Sequence, residues 1–392
     1  MRFASALSTL SDAQAAVAEA SRQAREALGA TADLAVVFVS PLLGPDLAMI
    51  AAEVRRLTGT RHLIGATGES IVGVGREIEG APALSVWLAS LPGVTIRPMH
   101  LRFERSPDGG RFVGWPDDLP LEWPKGSAML CLGEPFTFPA DVLLERLGQD
   151  QPGVPVMGGM ASGAHAPGEN FVLLDDQALD NGAAAVLLDG PFELRAVVSQ
   201  GCRPIGRPMV ITKAQQQVIA ELGGKPALAA LGDALDTLGD QPMPPSNALH
   251  LGRVINEYQE KFDRGDFLVR NLIGADRESG AIAVGDFVRT GQTVQFHIRD
   301  AAAADEELRA MLTQVRSSGA APAGALLFTC NGRGTRLFDV PDHDAAAVAE
   351  VLGPLPLAGF FAQGEIGPVG GKNFVHGFTA SLALFCPKSE SK

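Results

Sequence analysis

The chain contains one pattern three times, and this repetition restricts the folds that it can form. Each copy has an apolar strand, a polar loop, an amphipathic helix, a second apolar strand and a glycine-rich loop. Equivalent positions of the two strands lie about 26 to 30 residues apart, which is typical of a strand–helix–strand crossover. The positions that define the copies are Val36 and Ile64, Leu130 and Val156, and Leu327 and Leu357. The similarity arises either from duplication or from rules that all folds of this class share.

A further apolar run closes each copy, at Leu84–Leu88, Ala183–Leu188 and Ala380–Phe385. Strands that alternate with helices in this way favour sheets covered by helices. The sequence therefore predicts an α/β (mixed α+β) protein with two domains of mixed sheets flanked by helices, built from strand–helix–strand units. The proline-rich segment Asp240–Ser246 marks the expected joint between the domains.

Local patterns predict elements outside the three copies. Within residues 1–32, Ser11–Leu28 has apolar residues at helical spacing, with Ser11 as the N-cap and Gly29 as the C-terminal stop. Val94–Phe103 ends in a strand-like alternation, which places His100 and Arg102 in solvent on the same outer face.

Two apolar runs in the C-terminal half, Ala281–Val284 and Val294–Ile298, are separated by turn residues. This arrangement predicts that the two runs pair as a hairpin. The polar tail Ser389–Lys392 is expected to fray.

The composition argues against several classes of partner. The net charge is −13 and no run of Lys or Arg occurs, so neither a nucleic-acid backbone nor an anionic membrane surface is an expected partner. No apolar run approaches the roughly 18 residues of a membrane span. No signal-peptide pattern occurs at the N-terminus, and the four cysteines form no C-x-x-C pair. We therefore expect a reduced cytoplasmic protein.

Standard cofactor and catalytic motifs are incomplete. Gly73–Ile78 lacks the last glycine of a dinucleotide fingerprint, and Gly371-Lys372-Asn373 lacks the Ser or Thr of a phosphate-binding loop. No G-x-S-x-G or H-E-x-x-H motif occurs. We therefore assign no catalytic residue, no cofactor and no metal, with a metal site assembled from distant positions as the open alternative.

The glycine-rich loops carry the main candidates for ligand binding. Each loop follows the second strand of its copy, and ligands of open α/β sheets bind beyond the carboxyl ends of the strands. Glu69 and Glu365 would act as acid and base, or would hold the amino group of a ligand. In the alternative interpretation both are solvated loop carboxylates. The loop residues expected to converge are Thr67, Gly68, Glu69, Gly159, Met160, Gln363, Gly364 and Glu365.

A second candidate, Cys330-Asn331-Gly332-Arg333-Gly334, directly follows the first strand of the third copy. Its glycines can turn backbone N–H groups inward to form an anion-binding concavity. Arg333 would fork onto a ligand carboxylate, and Asn331 would line the same loop. Cys330 is either a ligand-contacting or redox-accessible thiol activated by Arg333, or a residue that packs at a strand end. The alternative for Arg333 is a structural ion pair with Asp339, Asp342 or Glu365.

These motifs resemble those of the FIST family (F-box and intracellular signal transduction). The resemblance divides the chain into an N-terminal helix at 1–32, a FIST N-like domain at 33–225, a helix and joint at 226–240 and a FIST C-like domain at 241–392. The N-terminal motifs are Ile64–Glu69, Val156–Met160 and Gly201–Gly206. The C-terminal motifs are Phe267–Asn271, Gly285-Asp286, Gly291-Gln292, Arg299-Asp300, Cys330–Gly334 and Gly359–Glu365.

The resemblance implies a sensory module that binds a small ligand, such as an amino acid or another small carboxylate, and signals through a protein partner. Relatives attach the module to signalling output domains or to an F-box, neither of which is visible here, so a free-standing copy is expected. The resemblance identifies no catalytic residues in this chain.

Two alternatives stay open. One is an enzyme that uses Glu365 as acid/base or Cys330 as nucleophile, with His376 or His343 as its base. The other is a protein-interaction scaffold with a large apolar surface patch.

Overall fold

A computed structural model of the chain describes residues 1–106, 109–319 and 321–388, so the tail expected to fray lies outside the described residues. The chain divides into a larger unit, residues 1–199 and 308–392, and a smaller unit, residues 200–307. The proline-rich segment that marked the expected joint lies inside the smaller unit. Both units combine helices with strands, and the predicted mixed α/β class is confirmed.

The first repeat begins with a strand that the sequence analysis did not predict. The first helix begins one residue later than expected because the Asp12 side chain, rather than Ser11, accepts the capping hydrogen bond from the Ala15 N–H at 2.8 Å. Gly29 ends this helix in the left-handed conformation, as predicted. The elements of the repeat are β1 (Arg2–Ser8), α1 (Ala13–Leu28), β2 (Leu34–Val39), α2 (Leu47–Thr58), β3 (His62–Thr67), β4 (Ile71–Gly73), β5 (Arg76–Ile78) and β6 (Leu84–Ser90).

The second repeat follows the same order, with its extra strands at the start. The expectation that His100 is solvated is wrong, because its Nε2 atom lies 2.9 Å from the Asn181 carbonyl oxygen and its side chain is half-buried. The elements are β7 (Thr95–Ser106), β8 (Gly109–Val113), β9 (Ala128–Gly133), α3 (Ala140–Asp150), β10 (Val156–Met160), β11 (Val172–Leu174), β12 (Gln177–Leu179), β13 (Ala183–Asp189) and β14 (Phe192–Ser199).

The smaller unit is a β-barrel with one helix. The elements are β15 (Cys202–Gln215), β16 (Val218–Leu222), β17 (Lys225–Pro226), α4 (Ala227–Asp236), β18 (Leu249–Val254), β19 (Phe267–Ala275), β20 (Ile282–Val284) and β21 (Thr293–Arg299). The strands pair in the order β15-β21-β18-β19-β20-β16, and β16 pairs with β15 to close the barrel. The predicted hairpin of Ala281–Val284 with Val294–Ile298 is wrong, because closure gives each run two other neighbours.

The third repeat completes the larger unit, although its first helix begins at the end of the smaller unit. Its elements are α5 (Ala301–Ser317), β22 (Gly324–Cys330), α6 (His343–Leu352), β23 (Leu357–Ala362), β24 (Glu365–Val369), β25 (Lys372–His376) and β26 (Ala380–Pro387). Within the described ranges, no helix is both long enough and apolar enough to cross a bilayer.

The three repeats exchange hairpins in a cycle. Within each repeat the two crossover strands pair in parallel, as β2–β3, β9–β10 and β22–β23. The second strand of each pair then receives a hairpin from another repeat. Hairpin β4–β5 adds to β23, β11–β12 adds to β3, and β24–β25 adds to β10. Each sheet of the larger unit is therefore completed by a different repeat.

Matching glycines allow close approach of the paired strands. A Cβ atom on Gly65 would lie 2.3 Å from the Val37 carbonyl oxygen of the neighbouring strand. The same atom on Gly158 or Gly359 would lie 1.8 Å from a carbonyl oxygen of its own parallel neighbour. These distances exclude a side chain at all three positions, so the glycines that mark the repeats in the sequence have a packing role.

The inner faces of the three sheets form one apolar core. Phe38 of the first repeat stacks on Phe360 of the third, with ring centroids 5.0 Å apart, and Phe328 packs edge-on against both rings. Side chains of the second repeat, such as Leu130 and Met157, belong to the same buried cluster. This shared core fixes the carboxyl ends of the three parallel pairs relative to one another.

Candidate functional site

The three glycine-rich loops meet around the side chain of Ser162, at the carboxyl ends of the parallel strand pairs. The Ser162 backbone N–H donates to the Thr67 carbonyl at 3.0 Å, and the Glu69 N–H donates to Ser162 Oγ at 2.9 Å. Ser162 Oγ in turn donates to the Phe361 carbonyl of the third repeat. One buried hydroxyl therefore contacts backbone groups of the first and third loops from its position in the second.

Backbone hydrogen bonds also join the second and third loops. The Met160 N–H donates to the Gly364 carbonyl at 2.8 Å, and the Gln363 N–H donates to the Met160 carbonyl at 3.1 Å. Gly159 lies directly opposite Glu365 in the ladder of β10 and β24. The loops thus converge as the sequence suggested, but they interlock through backbone atoms.

The sequence-predicted residues divide into a buried group and a rim. Thr67, Met160, Arg333 and Glu365 are buried, as are Gly68, Gly159 and Gly364. The side chains at the surface form the rim, which also includes Arg336, a residue that the sequence analysis did not single out. The rim residues are Glu69, Cys330, Asn331, Arg336 and Gln363.

The two candidate carboxylates have different surroundings. Glu365 is fully buried, and its Oε2 atom accepts hydrogen bonds from the Thr379 N–H at 3.0 Å and from Thr379 Oγ1 at 2.7 Å. The solvated alternative for Glu365 is therefore wrong. Glu69 is half-buried and forms an ion pair with Arg336. The hydrogen bonds that the Arg336 guanidinium donates to Glu69 raise the pKa of Arg336.

Arg333 forms the structural ion pair that the sequence analysis held as an alternative, but its partner is Asp344. Its Nε and Nη2 atoms lie 2.7 Å from the two carboxylate oxygens of Asp344, and neither side chain is accessible to solvent. Asp339, Asp342 and Glu365 are not its ion-pair partners. Because both nitrogens of this edge of the guanidinium donate to Asp344, they are not available to bind a ligand carboxylate as the sequence analysis expected.

Asp344 is ionised because of these contacts. Burial opposes its negative charge, but the Arg333 guanidinium outweighs burial and holds the pKa of Asp344 far below its usual range. The Thr329 hydroxyl donates to Asp344 Oδ2 at 2.7 Å, and His343 Nδ1 lies 3.0 Å from Oδ1. The pair is therefore an internal anchor between β22 and the start of α6.

A third buried carboxyl group, that of Glu77, completes this cluster. Its Oε1 atom accepts a hydrogen bond from the Ala345 N–H in the first turn of α6 at 2.9 Å. Burial, followed by the charge of Asp344, raises the pKa of Glu77 to about 8. Glu77 comes from the exchanged hairpin β4–β5, so its partners are remote in sequence and no local motif could have indicated them.

The rim, by contrast, has groups that a small molecule can contact. Arg336 bridges the Glu69 carboxylate and the Asn331 carbonyl, to which its Nη1 atom donates at 2.9 Å. Asn331 Oδ1 accepts no hydrogen bond from the described residues, although solvent scarcely reaches it. The Cys330 sulfur accepts a weak hydrogen bond from the Gly332 N–H at 3.4 Å. A cation, an anion, an amide acceptor and a thiol thus lie along one short loop and its neighbour.

Cys330 is half-buried at the rim, whereas the other three cysteines are buried. Iodoacetamide at neutral pH should therefore label Cys330 before the other three. Burial raises the pKa of Cys131 to about 12 and also raises that of Cys386, so few of these thiols are ionised. Peptide mass mapping over time measures the order, and Cys330→Ser should abolish the fast phase. Equal or faster labelling of Cys202 or Cys386 would contradict the exposure seen here.

The fold and this site define a two-part module in which interlocked repeats present a polar rim. Models of the FIST N domain and the FIST C domain match residues 33–225 and 227–368. The chain belongs to the FIST family, whose domains are in general sensory modules of signal transduction.

Two relatives that align over their whole length are named as uncharacterized proteins. An uncharacterized protein of Mycobacterium tuberculosis (strain CDC 1551 / Oshkosh) is 43% identical over 388 residues, which cover 98% of this chain and 100% of the relative. An uncharacterized protein of Mycobacterium bovis is 42% identical over 395 residues and covers 100% of both chains. The similarity extends over both FIST domains.

Proposed function

We propose that this protein is a sensor that binds a small zwitterion of the amino-acid type at the rim and signals through a protein partner. The observation that carries the proposal is the partly exposed Glu69–Arg336 ion pair, which lies beside Asn331, whose Oδ1 atom receives no hydrogen bond from the described residues. A buried acceptor that receives no hydrogen bond costs about 1–3 kcal/mol, so a rotation of the half-buried Asn331 side chain that brings Oδ1 to a ligand donor would remove this cost.

The charges of the rim suit a ligand that carries both signs. The Glu69 carboxylate and Asn331 Oδ1 are acceptors for an ammonium group, and Arg336 is a planar donor for a carboxylate. Arg336 thus takes the role first expected of Arg333. The Glu69–Arg336 pair is partly exposed, with side-chain accessibilities of 31% and 57%, so a ligand can reach it without unfolding the loops.

Contacts behind the rim offer a route to a partner. The Glu79 carboxylate accepts hydrogen bonds from the Thr335 N–H at 2.9 Å and from the Thr335 hydroxyl at 2.8 Å, directly beside Arg336. Glu79 follows the exchanged hairpin whose Glu77 contacts α6. A ligand that repositions Arg336 would therefore act on a hairpin and a helix that both reach the surface, and a signalling partner would recognise their altered arrangement.

Thermal-shift measurements with the standard amino acids and small dicarboxylates test this proposal. A ligand at about 100 times its dissociation constant should stabilise the protein by about 2.7 kcal/mol. Arg336→Met and Glu69→Gln should each remove most of the shift. Arg111→Met is the matched control, since it removes an exposed ion pair with Glu104 on a different hairpin. No shift with any compound, or equal shifts in all variants, would rule out binding at the rim.

A further inference from the structure

A cavity lies at the opposite ends of the strands from the rim. It has a volume of about 480 Å³ and lies where β9 and β10 begin, against the start of β14. The rim, in contrast, lies where β3, β10 and β23 end. The cavity is of the size that encloses small organic molecules. Its walls come from three segments and one further side chain: Trp123–Ser127, Pro152–Pro155, Phe192–Leu194 and Lys388.

The wall combines apolar and polar residues and is held in place. Gln151 accepts a hydrogen bond from the Trp123 N–H at 2.9 Å and donates to the Leu121 carbonyl at 2.7 Å, which fixes one wall. Asn373 donates to the Val154 carbonyl at 2.8 Å and accepts from the Val156 N–H at 2.9 Å, which fixes the opposite wall. Side-chain amides thus clamp both loops, so the cavity is preorganised and does not depend on a ligand to form it.

Three polar groups in the cavity have unused hydrogen-bonding capacity. The ammonium groups of Lys125 and Lys388 form no salt bridge with the described residues, and both side chains are exposed. Ser127 is 1% exposed, and its hydroxyl has no hydrogen-bond partner among the described residues. Of the groups that line the cavity, only Glu193 is acidic, and Arg195 pairs with it at 2.8 Å. The cavity is therefore positive in a chain whose net charge is −13.

We propose that this cavity binds a small organic monocarboxylate with a flat or branched apolar body. The apolar body would pack against Trp123 and the prolines of the wall, and the carboxylate would accept hydrogen bonds from the two ammonium groups and from the Ser127 hydroxyl. Hydrogen bonds to an ionised acceptor are stronger than those between neutral groups. A buried hydroxyl without a hydrogen-bond partner destabilises the folded protein, so the presence of Ser127 here favours a ligand that would pair with it. This site is independent of the rim and of the function proposed for it.

Tryptophan fluorescence can report binding, because Trp123 lines the cavity. The probes are benzoate, phenylacetate and isovalerate, each compared with its neutral amide. We expect at least one acid to quench the tryptophan fluorescence in a saturable way. This acid should bind at least about tenfold more tightly than its neutral amide, and its affinity should fall as salt is added. The absence of saturable binding by every acid below about 10 mM, or equal binding of acids and amides, would overturn the proposal.

Variants separate the two kinds of contact. Lys125→Gln combined with Lys388→Gln should weaken binding of the best acid at least about tenfold and remove its salt dependence. Ser127→Ala should weaken binding while leaving the unfolding temperature of the ligand-free protein unchanged or raised, because it deletes an unpartnered hydroxyl. Lys225→Gln, on the smaller unit, is the control and should bind as the wild type does. Unchanged affinity in both the lysine and serine variants would contradict the assignment.

Discussion

Replacement of Asp344 with asparagine should destabilise the larger unit by about 3–5 kcal/mol, measured by urea unfolding. The substitution removes the ion-pair partner of Arg333 in a position with no solvent access, and it turns an amide N–H group toward the guanidinium. It also replaces one of the two carboxylate oxygens that together accept hydrogen bonds from Arg333 and Thr329. Few single substitutions cost this much, and those that do share this mechanism of an uncompensated buried charge.

A matched control and a double variant distinguish the pair from general damage. Glu104→Gln breaks an ion pair with Arg111 at the surface and should cost less than about 1 kcal/mol. Arg333→Met combined with Asp344→Leu removes both charges and should recover much of the stability lost by Asp344→Asn. If Asp344→Asn costs no more than Glu104→Gln, the buried pair does not anchor α6.

Glu77 should make the stability of the larger unit depend on pH. The folded-state pKa of Glu77 is about 8, well above the ordinary carboxyl value. Between those two values the folded chain holds a proton that the unfolded chain has released, so the free energy of unfolding falls as the pH rises. Each pKa unit corresponds to about 1.4 kcal/mol, which makes the total loss a few kcal/mol.

Glu77→Gln should remove this dependence, because the amide retains the buried shape and never ionises. Unfolding by urea at several pH values from about 5 to 8 measures the effect in a window where Asp344, whose pKa is lowered, stays ionised. The variant should gain stability relative to the wild type as the pH rises across the window. Groups such as His62, whose pKa is lowered by burial, add the same opposite dependence to both proteins. Glu145→Gln, on the exposed face of α3, is the control. Parallel curves for the wild type and Glu77→Gln would show that Glu77 is not the group responsible.

The repeated strand pairs could be predicted because they are local. Strand, helix and strand follow one another within a short stretch, and positions such as Gly65 and Gly359 are marked by a residue that strand packing demands. The exchange of hairpins could not be predicted in this way. The β4–β5 hairpin has only three residues in each strand, and its partner β23 lies far along the chain.

In the candidate site, too, the local features could be predicted and the contacts between distant residues could not. Glycine-rich loops after strands indicated where the chain converges, since that rule depends only on topology. Which side chains stay accessible depends on contacts with distant residues. Arg333 looked available for a ligand because Asp344 is separated from it by a turn and the start of a helix. Arg336 was overlooked because its partner, Glu69, comes from another repeat.

The central claim, that the rim binds a small zwitterion, is tested most directly by the labelling rate of Cys330. N-ethylmaleimide should label this thiol at a rate that at least one amino acid, present at saturation, slows several-fold, because the ligand would cover Asn331 and the neighbouring sulfur. Arg336→Met should abolish the protection. A ligand bound in the Trp123 cavity, at the opposite strand ends, would leave the rate unchanged. If Cys330 reacts readily and no amino acid alters its rate, the rim does not bind a ligand of this kind.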